Sequence, residues 1–265
     1  MVFIAGHRGG RNLWPENSLT GFRNLCKEGV DAVEFDVHQS TDGGLVVIHD
    51  PLLDRTTFES GPVGERSLRR LTATRLRDAG DECIPTLDEV LDVFSETELE
   101  LHIEIKTDAL GNSYSGLEAR LISEIKRRGL ERRAIITCFV PGVIETVLRL
   151  WPEARVLVSL DRRSAEMMGG IEPALTRLAA IPGCIVAVEK SLLGLALPLA
   201  LKVLGSERLG AWVTNEPADI AYWLSQPVRQ ITTDRPDNAV RIRRRPATMT
   251  TLPIIPASAF SGARR

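Results

Sequence analysis

Eight short runs of β-prone, mostly apolar residues recur along the chain, at 2–5, 32–37, 101–105, 134–138, 155–159, 184–188, 210–213 and 230–233. Helix-period segments lie between several of them, at 18–28, 87–94, 117–128, 142–150 and 217–224. Short buried strands alternating with amphipathic helices specify a parallel sheet, and eight such units predict closure into a (β/α)8 TIM barrel. A doubly wound open sheet is the alternative. The 265 residues suit one barrel, which takes roughly 250. The rhythm breaks twice. Thr41-Asp-Gly-Gly44 signals a hairpin leading into residues 45–49, and a polar stretch at about 50–84 follows before the next helix. A connection of that length predicts a small insertion beside one mouth of the barrel. The other break is the basic, then Pro/Ala/Ser/Thr-rich, stretch 243–265, expected to be a flexible C-terminal tail on a single catalytic domain at 1–242.

Composition excludes several classes of partner. Lys and Arg number 33 against 35 Asp and Glu, so no overall field recruits nucleic acid or an anionic membrane, and any positive site must be local. Aromatic residues make up 5%, which argues against a lipid-docking surface. Cys26, Cys83, Cys138 and Cys184 have no CxxC spacing and sit in or beside apolar runs, as buried thiols do. The first residues run straight into a polar motif without a signal-peptide core, and no 18-residue apolar span exists. The expectation is a cytoplasmic protein with a small-molecule substrate and no stable membrane insertion; a homo-oligomer is left open.

Chemistry concentrates at strand ends. Glu34 and Asp36, two apart on one strand, share a face, as do Glu104 and Lys106 on another. Carboxylates within apolar strands are costly unless paired or bound to metal. Three of them suit an oxygen site for Mg2+ or Ca2+, and an internal salt-bridge cluster with Lys106 is the competing reading. His7 and Arg8 follow the first strand directly, and His49 closes the hairpin, so both histidines belong at the catalytic face near the acids. Imidazoles there suit proton transfer near neutral pH. His102 is read as packing one layer deeper, and His38 as a turn residue at the hairpin entry.

The ordered set His7-Arg-Gly9, Pro15-Glu-Asn17, Glu34-Phe-Asp36, Asp42-Gly43, His49-Asp50, Arg55-Thr-Thr57, Pro85-Thr-Leu-Asp-Glu89, Ile103-Glu-Ile-Lys106 and Trp212-Val-Thr-Asn215 resembles the glycerophosphodiester phosphodiesterase family over roughly residues 3–240. The resemblance implies a barrel with an insertion after its second strand. It implies that Glu34, Asp36 and Glu104 hold one divalent cation, and that His7 and His49 form an acid–base pair. Arg8 and Lys106 would contact phosphate oxygens, while Asn17 and Trp212 would shape the pocket. For Asn17 a helix N-cap before Ser18 is the equal alternative, and for Trp212 simple barrel-lining bulk.

The expected reaction is hydrolysis of a glycerophosphodiester to glycerol phosphate and an alcohol. The resemblance also admits a sugar phosphodiester, as in the agrocinopine phosphodiesterases, or a lysophospholipid. Asn112, Ser113 and Tyr114 in the loop past Lys106 are candidates for reading the non-phosphate group. A catalytically inactive binding barrel is the rival of another class, weakened because every ligand and histidine is retained.

Overall fold

The computed structural model describes residues 1–244; the tail expected at 243–265 lies outside them apart from its first two residues. Eight parallel strands close on themselves: β1 (Phe3–His7), β2 (Ala32–Gln39), β4 (Glu100–Ile105), β5 (Ala134–Cys138), β6 (Val156–Leu160), β7 (Ile185–Glu189), β8 (Leu209–Trp212) and β9 (Gln230–Thr233). Pairing of β1 with both β2 and β9 seals the barrel. The remaining strand, β3 (Leu45–Val47), returns antiparallel on β2 after the Asp-Gly-Gly turn, with Val37 opposite Val47. Helices α1 (Leu19–Leu25), α3 (Leu87–Val93), α4 (Leu117–Arg127), α5 (Pro141–Leu150), α6 (Arg162–Met167), α7 (Ile171–Ala179), α8 (Lys190–Leu204), α9 (Pro217–Ser225) and α10 (Pro236–Arg243) lie along the crossovers. This is the (β/α)8 barrel that the eight apolar runs predict. No helix among the described residues is long and apolar enough to cross a membrane.

Strand parity decides which residues meet. On β2, Val33, Phe35 and Val37 join the outer core under the helices, where Phe35 packs edge-on against Phe22 at 5.8 Å and stacks with Phe94 at 6.3 Å. Glu34 and Asp36 therefore turn into the barrel. On β4, Leu101, Ile103 and Ile105 face outward in the same core, which turns His102 and Glu104 inward. Register then sets the height: His7 lies beside Glu34, Glu34 beside His102, and Asp36 beside Glu104. The opposite interior wall is apolar, built from Ile135, Leu157, Ile185 and Ala187. An ion cluster closes the far end of the barrel, where Glu100 receives Arg155 and Arg229, the latter at 2.6 Å.

The stretch 50–84 folds into a small accessory unit with the short helix α2 (Leu68–Leu71) and three isolated antiparallel bridges. It has an apolar core of its own, in which Leu53, Val63, Leu71, Leu76 and Ile84 pack with Val46 and Ile48 of the hairpin. That packing is why a polar-looking insertion stays ordered and why His49, at the hairpin's end, has a fixed position.

Candidate active site

β1 ends in a sharp turn. Arg8, Gly9 and Gly10 take φ of 49°, 78° and 87°, and Asn17 takes 54°. Left-handed backbone at two non-glycine residues is strained and persists only where neighbours over-determine it. Here the Arg8 N–H donates to the Glu34 carbonyl at 2.9 Å, and the Asn17 N–H donates to the Arg8 carbonyl at 3.0 Å. Gly9 is needed because a Cβ there would meet the Phe22 ring at 3.0 Å. The turn brings Arg8 over the carboxylates, with Nε 3.4 Å from Asp36 Oδ2.

The structure brings Glu34, Asp36 and Glu104 together: all three are buried, and one oxygen from each lies within 4.8 Å of the others. Lys106 Nζ sits 2.9 Å from Asp36 Oδ1 and 2.6 Å from Glu104 Oε1. Three carboxylates thus face two cations, Arg8 and Lys106. The imbalance shows in their acidities. Burial opposes ionisation of Asp36, yet Lys106 and Arg8 outweigh it and hold that carboxyl well below the usual range. Glu34 goes the other way, since burial, Asp36 and Glu104 push its carboxyl well above the usual range. Lys106 is mostly withdrawn from solvent, which disfavours its charge, but Asp36 and Glu104 keep its ammonium charged.

A divalent cation fits this arrangement. The donors are hard oxygens of the kind Mg2+ and Ca2+ take, and Glu34 Oε1 is buried with no hydrogen-bond partner. A 2+ ion would also correct the excess of acid. Asn17 supports the cluster directly: Nδ2 donates to Asp36 Oδ2 at 2.8 Å. It is not the helix cap. That place belongs to Ser18, whose Oγ accepts from the Gly21 N–H at 2.9 Å.

Both histidines reach the same cavity, each backed by a carboxylate. His7 Nδ1 lies 2.6 Å from Asp234 Oδ1 at the end of β9, which leaves Nε2 facing the site 3.7 Å from Glu34. Asp234 is fully buried and also receives Arg11 Nε at 3.0 Å and Asn215 Nδ2 at 2.7 Å. Burial resists its ionisation, but the His7 and Asn215 bonds and the Arg11 charge lower its carboxyl to about 2. His49 Nδ1 lies 2.6 Å from Asp50 Oδ1. Arg55 clamps Asp50 and Glu16, with Nε 2.6 Å from Asp50 Oδ2 and Nη1 2.9 Å from Glu16 Oε2, so the accessory unit is pinned to the β1–α1 loop. Burial, offset in part by Asp36 and reinforced by Lys106 and Arg8, lowers the basicity of His49; an anionic ligand would oppose those two cations.

His38 is no turn residue. It sits fully buried inside β2. Its Nε2 lies 3.1 Å from the His49 carbonyl, which can only accept, so Nε2 carries the proton and Nδ1 accepts from the Tyr114 hydroxyl at 2.8 Å. Burial lowers the basicity of His38 to about 4, consistent with this neutral form. Tyr114 is therefore turned toward His38 and is not among the residues lining the cavity. Its neighbour Asn112 bonds Asp108 within its own loop. His102 lines the cavity floor.

The cavity has a volume of about 350 Å3. His7, Arg8, Glu34, His49, Glu104 and Lys106 form its charged half; Trp212, Phe139, Leu157 and Ala187 form an apolar wall, with Thr137, Ser159 and Thr232 supplying hydroxyls. Trp212 donates from Nε1 to the Ala187 carbonyl at 2.9 Å and meets Phe139 edge-on at 5.6 Å. Sequence reading assigned no role to Asp234, Asn215, Arg11, Glu16 or Arg55. Asp234 and Asn215 carried a usable signal, being polar residues just past the ends of β9 and β8.

Comparisons with known proteins point one way. The model of the "Glycerophosphoryl diester phosphodiesterase family" matches residues 7–238. A glycerophosphodiester phosphodiesterase of Caldanaerobacter subterraneus subsp. tengcongensis is 34% identical over 163 residues, covering 58% of this chain and 65% of that one, just under two thirds of its length. One from Bacillus altitudinis is 29% identical over 253 residues, covering 92% of this chain and 98% of that one. A crystal structure from Agrobacterium tumefaciens, named as a candidate glycerophosphoryl diester phosphodiesterase, superposes with a TM-score of 0.83 at 25% identity, over 92% of this chain and 97% of that one. An Oleispira antarctica phosphodiesterase solved with the product sn-glycerol-3-phosphate shares the fold at a TM-score of 0.73 and 22% identity, over 91% and 96% of the two chains. With a family match running from His7 at the end of β1 to Asn238 in α10, the chain belongs to the glycerophosphoryl diester phosphodiesterase family.

Proposed function

We propose that the protein hydrolyses a glycerophosphodiester to glycerol phosphate and an alcohol, with one Mg2+ or Ca2+ held by Glu34, Asp36 and Glu104. The observation that carries this reading is a carboxylate triad, two of whose members, Glu34 and Glu104, line one cavity together with two cations and two carboxylate-backed histidines. When bound, the cation supplies Lewis-acid charge that neutralises developing negative charge on the phosphoryl oxygens. Arg8 and Lys106 add fixed positive charge largely shielded from solvent, where such interactions are strong. The triad, these cations, a 2+ ion and a singly charged diester together sum to zero.

In the overall step, a water oxygen forms a bond to phosphorus and the bond to the alcohol oxygen breaks. One imidazole takes the water's proton and the other gives a proton to the departing alcohol. With Nδ1 of each ring engaged by Asp234 or Asp50, Nε2 is the working atom of both. The product seen in the Oleispira protein belongs to the same substrate class and supports the glycerol half of the reading.

The test is turnover of sn-glycerol 3-phosphate esters by purified protein. Activity should disappear with chelator and return with Mg2+ or Ca2+, and His7→Ala and Glu34→Ala should each remove it. Full turnover by either variant would rule out the roles assigned here.

A further inference from the structure

The charged edge of the cavity opens in two directions. One arm is the barrel interior, floored by His102 and carrying the hydroxyls of Thr137, Ser159 and Thr232. The other is a groove of about 230 Å3 that leaves over the rim between the ends of β3, β4 and β5. The two share His49, Glu104, Lys106 and Phe139. Beyond that shared edge the groove is lined by Pro51, Ile105, Cys138 and Val140, with Thr107 and His38 as its polar residues, and both ring nitrogens of His38 are already engaged. A phosphodiester has two ester arms that diverge at phosphorus, and this forked space matches that shape. Resting on the hydrolase reading above, we infer that the groove is the leaving-alcohol subsite and that it takes an uncharged aliphatic alcohol.

The lining decides the chemistry. Apolar walls reward removal of alkyl surface from water and give a sugar's hydroxyls too few partners. The polar loop past Lys106 does not make up the deficit, because Asn112 bonds Asp108 and Tyr114 bonds His38. A quaternary ammonium would lie beside Lys106, and the acid at that end, Glu104, is already paired with Lys106 at 2.6 Å. The interior arm has the hydroxyls that suit the glycerol half. The departing oxygen then lies on the His49 side of phosphorus.

The experiment compares sn-glycerol 3-phosphate esters of methanol, butanol, octanol and choline on the wild-type protein and on Val140→Asp. Val140 is exposed and occupies the N-cap of α5, where Asp is a favoured residue, so the variant keeps the fold. From methyl to butyl, kcat/KM should rise about two- to four-fold per methylene and then flatten toward octyl as the groove fills. The choline ester should fall below the butyl ester. Val140→Asp should abolish the rise, so that kcat/KM falls progressively more on the butyl and octyl esters than on the methyl ester. A flat wild-type series, a preference for choline over butyl, or an equal loss on every ester in the variant overturns the inference and leaves the hydrolase reading standing. If no ester turns over, the hydrolase reading falls and this subsite with it.

Discussion

Asp234→Asn is the sharpest probe of how the site controls protons. The carboxylate accepts from His7 and Arg11 on Oδ1 and from Asn215 on Oδ2. Asn215 cannot turn its amide round, because its Oδ1 accepts from the Asp234 N–H at 2.9 Å. An asparagine at 234 that keeps the buried Asn215 bond points its carbonyl there and its NH2 at His7, and the partly exposed Arg11 side chain, a donor to the same position, withdraws. His7 can answer only by accepting at Nδ1, which places its proton on Nε2, toward the substrate. A wrong tautomer of this kind costs on the order of 10³- to 10⁴-fold in kcat, or roughly 4–5 kcal/mol of transition-state stabilisation. KM should move little, since no phosphate contact is lost.

The same variant carries a stability signature. The Asp234 carboxyl titrates at about 2 in the folded protein against an ordinary value of 3.8. A carboxyl whose pKa is lowered on folding stabilises the native state above the unfolded value, and that stabilisation disappears as pH falls from about 4 to 2. Its size is about 2 kcal/mol, and Asp234→Asn should flatten that part of the acid-unfolding curve. Steady-state kinetics on a glycerophosphodiester, beside thermal melts from pH 2 to 7, read both effects. If the variant keeps more than about a tenth of wild-type kcat, His7 is not a proton carrier held by Asp234.

Two further outcomes follow from the site. The raised pKa of Glu34 means the metal-free protein holds a proton there that the unfolded chain does not, and the stability it lends declines as pH rises through that raised value. Adding Mg2+ or Ca2+ at mildly acidic pH should expel up to one proton per ion, measured by calorimetry in buffers of different ionisation enthalpy; binding with no proton release would contradict the assignment. Tyr114→Phe removes only the hydroxyl that His38 Nδ1 accepts. It should lower stability by about 1 kcal/mol and reduce kcat several-fold through His49, with calcium or magnesium affinity unchanged; a lowered melting point with intact kcat would confine the residue to packing.

The barrel was legible because its outward strand faces are apolar and period-two, so Val33, Phe35 and Val37 announce a buried strand even with Glu34 and Asp36 between them. The meeting of Glu34, Asp36 and Glu104 was legible for the same reason, parity being local. Partners that arrive from distant elements were not. Asp234 is 227 residues from His7, and nothing in Thr-Thr-Asp by itself says which residue it will hold. His38 and Tyr114 lie 76 residues apart, so the sequence placed one in a turn and the other in a substrate-reading loop. Burial reverses that: a histidine with both nitrogens satisfied by a carbonyl and a phenol belongs inside a strand. Helix α8 was obscured by Pro198 within it, and α6 and α7 by Gly169 and Gly170 between them.

His49 is supplied by a hairpin whose outer side packs into the accessory unit, and that unit has an apolar core separate from the one under the barrel helices. Loss of order confined to the smaller core would carry away His49, the proton-transfer group proposed above, and leave the eight strands paired. The structure thus divides its apolar packing between a large core and a small one, and local opening can be confined to the smaller. On warming, the smaller unit is expected to open first, so that inactivation should run ahead of unfolding and reverse on cooling while the barrel stays intact.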